Sequence, residues 1–413
     1  VNHHLSALFP ELVVHIPAAL PAHTLQSTLL CEPPLTGAEA AALHTVALSA
    51  QSVVARLTHD VVLAPELPTL LWPLRLALAG ACECFGDAFT SLTVANNAAT
   101  SAAASAWLMP QLSAQELHDY TICDEYFRFV RVRDMTQRQL AAQIAITSLG
   151  IIDDLPYMLL NLDEMTALLN AVAILFGAVW KGLAPLAHQV HEARDEDAAT
   201  GAAIPAGSHW PAPDAATAGA APRDVRIAYR RLIAGHHFWN LTTLFCADTF
   251  LHGEAAFARG DDEAGAHLLR QAAMLIRAGT AAMWFASIFP MSLYQSTLRP
   301  TMAETETRDG STQHLTYTME KIALTRLREA LTARFGANKA QWPDLVYMAM
   351  KDFYEMFMQD MEQHILIASS KVGMDASLAQ KVWQSEMPST LRLKNAMDLL
   401  RDMAAMRARE WKM

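Results

Sequence analysis

The chain has 413 residues, 52% of them hydrophobic and 18% charged, with a formal net charge of −11 and an isoelectric point near 5.8. That is enough apolar material to bury a large core, and it excludes a wholly disordered chain. The acidic balance argues against a nucleic-acid partner, because neutralising phosphates requires a basic face, so a small molecule is the expected ligand.

The N-terminal stretch VNHHLSALFP shows no basic segment ahead of an apolar run, so no signal peptide is expected. The five cysteines, Cys31, Cys82, Cys84, Cys123 and Cys246, are odd in number and lack CxxC spacing, which points to reduced thiols and a cytoplasmic location. Residues 1–192 read as a helical N-terminal region, dense in Ala, Leu and Val, with Pro65, Pro68, Pro73, Pro110 and Pro156 at helix starts or breaks. YFRFVRVRD, from Tyr126 to Asp134, alternates as a strand would but has no evident partner. Asp153 and Asp154 in IIDDLPYM are expected to open a helix ahead of Pro156. An aspartate-rich magnesium motif would need further carboxylates on the same face, and the next acids are Asp163 and Glu164. The apolar run ALLNAVAILFGAVW falls short of the roughly 18 residues of a membrane span and reads as a buried core helix.

Residues 193–222, rich in Ala, Gly, Pro and Asp, cannot pack a core and read as a flexible linker or insert. Helical periodicity resumes over 223–413. Asp261 and Asp262 open a helix with Leu268, Ala272, Leu275, Ile276 and Met283 on one face. RDGSTQ precedes a helix from Leu315 to Phe335 capped by Gly336, a long helix closed by Gly373 follows, and a last helix runs from Ser389. The fold class is all-α.

Within the long helix, Phe353, Phe357, Met361, His364 and Ala368 share a stripe, which turns His364 inward. Three chemistries suit such a residue: a hydrogen-bonded core histidine, an axial ligand of haem iron, or a member of a di-iron bundle. The last requires Glu-x-x-His twice, and none of the sixteen histidines has a glutamate three residues before it. Upstream, WFASIFPMSLYQSTLRPTM places Arg299 at the end of an aromatic run, either reaching solvent or pairing with a carboxylate.

Three segments in order, HHFWN (His236 to Asn240), the run from Pro290 through Tyr294 to Leu298-Arg299-Pro300, and EQHILIASSKVG, resemble the haem-dependent indoleamine/tryptophan dioxygenase superfamily. Within it the likeness is greatest to monodechloroaminopyrrolnitrin synthase-like enzymes. Only DGSTQ, Asp309 to Gln313, stands where that superfamily has a longer loop rich in Gly and Ser. The resemblance implies a large helical haem-binding domain in 223–413, with His364 as proximal ligand of haem b. It also implies that Arg299 meets a substrate carboxylate, that Tyr294 and Phe289 wall an aromatic pocket, and that His236 to Trp239 lie on the distal side. Adjacent residues on a helix diverge by about 100°, so only one of His236 and His237 can face the haem. His237, bracketed by Phe238 and Trp239, is the expected catalytic one. The expected activity is haem-dependent oxygenation or oxidative rearrangement of an aromatic amino acid or related small aromatic in secondary metabolism, with O₂ or peroxide as oxidant. A non-catalytic haem sensor or carrier would share His364 but need no Arg299. No nucleic acid or membrane partner is expected.

Overall fold

The computed structural model describes residues 14–17, 35–59, 64–95, 123–124, 126–132, 136–181, 222–304 and 315–372, together with 402 and 405. The elements are β1 (Val14–Pro17), α1 (Gly37–His59), α2 (Leu67–Ala95), β2 (Phe129–Val132), α3 (Gln137–Asp154), α4 (Leu162–Lys181), α5 (Arg223–Arg259), α6 (Asp262–Ala286), α7 (Arg299–Glu304), α8 (Leu315–Phe335) and α9 (Asp344–Val372). The expected all-α class holds, since the one sheet among the described residues is a two-stranded parallel ladder pairing Val14 with Phe129 through Pro17 with Val132. The strand expected within Tyr126 to Asp134 thus has a partner, more than a hundred residues earlier. Alternation within one segment cannot reveal such a distant pairing.

Helix starts follow local chemistry. Thr36 with Glu39, Thr136 with Gln139 and Asn161 with Glu164 each form a reciprocal pair, the cap side chain accepting from one backbone N–H and the side chain of the third helical residue accepting from the other. Asp261 accepts from the Ala264 N–H and opens α6 as expected. Gly336, with φ of 83°, ends α8, and its N–H reaches the Thr332 carbonyl.

Three expectations need correction. Asp153 and Asp154 end α3 rather than open a helix. Carboxylates oppose the dipole there, and arginines hold them: Arg75 Nε lies 2.7 Å from Asp153, while Arg230 and Arg231 at the start of α5 both reach the buried Asp154. Pro73 lies inside α2 instead of breaking it. The ALLNAVAILFGAVW run does not fall short of a span as expected: it belongs to the 20-residue α4, which is long and apolar enough to cross a membrane because the flanking residues extend the helix. Most of it is buried against α1 and α6, as the core-helix expectation requires. Gly373, the DGSTQ loop and residues 193–221 lie outside the described residues, as does the last helix apart from 402 and 405.

α1 to α4 pack on one another, and α5, α6, α8 and α9 form a second group joined to them through α4 on α6 and α3 on α5. One continuous core runs through both groups. The 37-residue α5 is central and buried on nearly every side. Its contact with α6 is close because residue 235 is glycine: a Cβ there would lie 2.6 Å from the Ala282 carbonyl oxygen and 2.6 Å from Ala286 Cβ. This contact sets the position of His236 and His237, one and two residues further on.

Candidate active site

Beside the main core lies a second cluster, half of it aromatic. Tyr126, Phe127 and Phe129 come from the segment entering β2, Tyr229, Leu232 and Ile233 from α5, and Phe289, Tyr294, Leu298 and Met302 from the segment after α6. Phe289 and Tyr294 stack with centroids 6.0 Å apart and planes at 15°. Their segment is fastened to the end of α9: Lys371 Nζ donates to the Phe289 carbonyl at 2.7 Å and lies 5.1 Å from the ring centroid. Tyr126 and Thr301 hydroxyls lie 2.9 Å apart. The Tyr229 phenol is pushed up to about 12 by burial and stays protonated.

Residues Tyr294–Leu298 form a π-helical turn, in which the Arg299 N–H bonds the Tyr294 carbonyl. Such turns recur at functional sites. The turn brings Leu298 into the aromatic cluster and leaves Arg299 half-buried at the start of α7.

Both expected distal histidines are buried, but they differ in tautomer. A carbonyl oxygen can only accept, so each short contact assigns the ring proton. His236 Nδ1 lies 2.7 Å from the Leu232 carbonyl, which leaves the lone pair on Nε2. His237 lies with Nε2 2.7 Å from the Phe127 carbonyl, which leaves its lone pair on Nδ1 beside its own backbone. Phe127 stacks on His236 at 4.0 Å and 20°, and Phe129 tilts against His237 at 5.1 Å. Burial brings His236 down to about 4, against the pull of the Leu232 carbonyl, and the nearby His364 lowers it further. Burial brings His237 down to about 3, opposed by the Phe127 carbonyl and aided by His236 and Arg128. Both rings are therefore neutral near pH 7.

His364, on α9, is close enough to act electrostatically on His236. Its side chain is 24% exposed rather than fully turned inward. The Nδ1 donates to the Asp360 carbonyl at 2.9 Å, the same i−4 arrangement as in His236, again leaving the lone pair on Nε2. Trp239 does not join them: it packs in the α5–α6 seam, where a Cβ on Gly279 would lie 3.2 Å from its ring, and it belongs to the main core.

The sequence reading missed Tyr126, Phe127 and Phe129 as site walls, although YFRFVRV carries the signal in its repeated aromatics. It also missed Arg128, a non-glycine residue with φ of 62° between the two phenylalanines that contact the histidines. Among the described residues no group of three or more His, Cys, Asp or Glu converges on a point. Single imidazoles on α5 and α9, each with Nδ1 held by the carbonyl four residues back, suit an iron that brings its own nitrogen ligands, as haem does.

Comparison with curated proteins returns no match. A solved structure described as reduced SfmD, soaked with sodium hydrosulfite, aligns over 84% of this chain and 96% of its own at 17% identity and a TM-score of 0.43. A family model, SfmD 3-methyl-L-tyrosine peroxygenase, matches residues 17–312, which include His236, His237, Phe289, Tyr294 and Arg299, while His364 lies beyond them. With well over half of its length matched, the chain belongs to the SfmD 3-methyl-L-tyrosine peroxygenase family and is a haem-dependent oxidoreductase of the indoleamine/tryptophan dioxygenase-like class that acts on an aromatic amino acid or related small aromatic.

Proposed function

We propose that this enzyme inserts one oxygen atom from hydrogen peroxide into the ring of a tyrosine-like amino acid, leaving water as co-product. The peroxide and the substrate class follow from the family's name. The observation that supports the site is the arrangement of His236 and His364. They are imidazoles on different helices, each with Nδ1 held by the carbonyl four residues back; His364 acts electrostatically on His236, whose ring stacks on Phe127 of the aromatic cluster.

In this reading His364 holds the haem iron, and the haem activates the oxidant when bound. His236 rather than His237 would serve the oxidant or substrate, since its Nε2 is left as an acceptor whereas that of His237 is committed to the Phe127 carbonyl. His237 then acts by fixing the Phe127 carbonyl and, with it, the ring that lies on His236. Phe289 and Tyr294 bound the space for an aromatic side chain and exclude water from it. Arg299 meets the substrate carboxylate through its planar fork. The catalytic region is thus 223–413 with a wall contributed by residues 126–129, and Cys82, Cys84, Cys123 and Cys246, none of them in a disulfide, suit a cytoplasmic setting.

The test is the absorption spectrum of the purified protein, as isolated and after dithionite, for wild type and His364→Ala. Wild type should show a Soret band typical of imidazole ligation, and His364→Ala should lose the haem or that signature. Turnover of aromatic amino acids is then compared with hydrogen peroxide and with O₂ plus reductant. Wild-type protein that stays colourless when expressed with a haem precursor refutes the proposal.

A further inference from the structure

We propose that Asp360 is a positioning residue for His364: its carboxylate, held in place by Thr280 of α6, fixes the imidazole and strengthens the electron donation of Nε2. The inference rests on His364 being the iron ligand.

Two oxygens of one residue converge on the same ring nitrogen. The Asp360 carbonyl lies 2.9 Å from His364 Nδ1 and the carboxylate Oδ1 lies 3.3 Å from it. The carbonyl alone determines the tautomer, as it does for His236. The carboxylate adds a negative charge against the N–H, and an acceptor behind a ligating histidine orients the ring and raises its basicity as a ligand.

The carboxylate is itself held. Thr280 Oγ1 lies 2.5 Å from Asp360 Oδ1 and 3.1 Å from the Ile276 carbonyl, so its single hydrogen is shared with an acceptor that carries charge. One turn further along α6, Trp284 Nε1 donates to Gln363 Oε1 at 2.9 Å. Two adjacent clasps from α6 therefore immobilise the turn of α9 that immediately precedes His364.

The same chain shows what such a carboxylate does to an imidazole. On α5, His252 bonds the Asp248 carbonyl at 3.0 Å and lies 3.3 Å from Asp248 Oδ2. Burial lowers the affinity of His252 for its proton, yet the Asp248 hydrogen bond and charge outweigh burial and the net direction is upward. His236 has the carbonyl without the carboxylate, and there burial prevails. His364 has the His252 arrangement at the site where His236 is its neighbour. One ring backed by a carboxylate and one backed by a carbonyl alone make the two faces of the site electronically unequal.

Asp360 also lines a cleft open to solvent, with Arg277, Thr280, Trp284 and Gln363, so its replacement leaves no enclosed void. The experiment uses the haem-loaded full-length chain as wild type, Asp360→Asn, Asp360→Glu and Thr280→Val. Three quantities are measured: haem content, the ferric/ferrous midpoint potential, and the iron–histidine stretching frequency of the ferrous protein. Asp360→Asn should make the potential more positive and lower the stretching frequency. Thr280→Val should do both to a smaller extent, and Asp360→Glu should recover part of each. A His364-ligated haem whose potential and stretch are unchanged in both Asp360→Asn and Thr280→Val overturns the inference and leaves the haem assignment standing. Iron not held by His364 in the wild type overturns both. If Asp360→Asn does not fold, Thr280→Val alone decides.

Discussion

Acidification should destabilise the protein through His236 and His237, by an amount the structure sets. An unfolded histidine takes up its proton near pH 6.5, whereas burial holds the folded values to about 4 for His236 and about 3 for His237. Between these limits the unfolded state binds more protons than the folded state, so unfolding free energy falls as pH falls. The stabilisation is complete above about pH 6.5 and is lost progressively down to the folded values. At about pH 5 each histidine should cost roughly 2 kcal/mol relative to about pH 8, and the pair roughly 4 kcal/mol. Asp153 and Asp154 are pushed up by burial despite their arginines, and His252 is raised, so all three act in the opposite direction. The comparison that isolates the effect is therefore between wild type and His237→Gln, whose amide can still donate to the Phe127 carbonyl. Urea unfolding of haem-free protein at steps from about pH 8 to about pH 5 should show the variant losing about half as much stability from these two sites. Parallel curves for the two proteins would refute the claim that His237 is buried and neutral.

Other perturbations test the scaffold and the anchor. Gly235→Ala should destabilise the fold: forcing a Cβ into the Ala282 backbone costs about 1–3 kcal/mol, more than the gain of about 1 kcal/mol from replacing a helical glycine; urea unfolding that shows no loss removes the close contact. Arg128→Gly should be more stable than Arg128→Ala by about 1 kcal/mol, because only glycine adopts φ of 62° without strain; equal midpoints would show the conformation unstrained. Arg299→Ala should weaken binding of an aromatic amino acid by roughly 1.5–3 kcal/mol but hardly affect its decarboxylated amine, as followed by haem-spectral titration. Equal losses for both ligands would mean that Arg299 does not read the carboxylate.

What the sequence disclosed was local. Asp261 capping α6, Gly336 ending α8 and the Leu315–Phe335 span depend on residues within a turn of one another, and each could be read from its own segment. The helical stripe of α9 was equally local, but it overstated the burial of His364. A stripe reports direction and not depth, and the His364 side chain, toward the C-terminal end of α9, stays 24% exposed. Asp153 and Asp154 were misjudged for a related reason. Two acids beside a proline are a fair sign of a helix start until three arginines from α2 and α5 are brought to them by the fold.

The choice between His236 and His237 shows where local reading stops. From the sequence, aromatic neighbours at 238 and 239 favoured His237, but on a helix they are turned from it by about 100° and about 160°, and Trp239 packs into the α6 seam. The distinction lies in which nitrogen carries the proton. For His236 the deciding acceptor is the carbonyl of Leu232, four residues back on the same helix, an arrangement that any helical histidine can adopt. For His237 it is the carbonyl of Phe127, 110 residues away, exposed to the ring because Arg128 turns the chain through a left-handed conformation on its way into β2. That strand is held by a parallel partner at Val14–Pro17, and parallel pairing needs a long connection by construction. The nitrogen that faces the aromatic cluster thus depends on a chain of contacts running from β1 through β2 and Phe127 to α5. Disrupting the ladder, for example with Val130→Pro, should therefore free His237 from Phe127 and alter the site while leaving the helices and their caps in place.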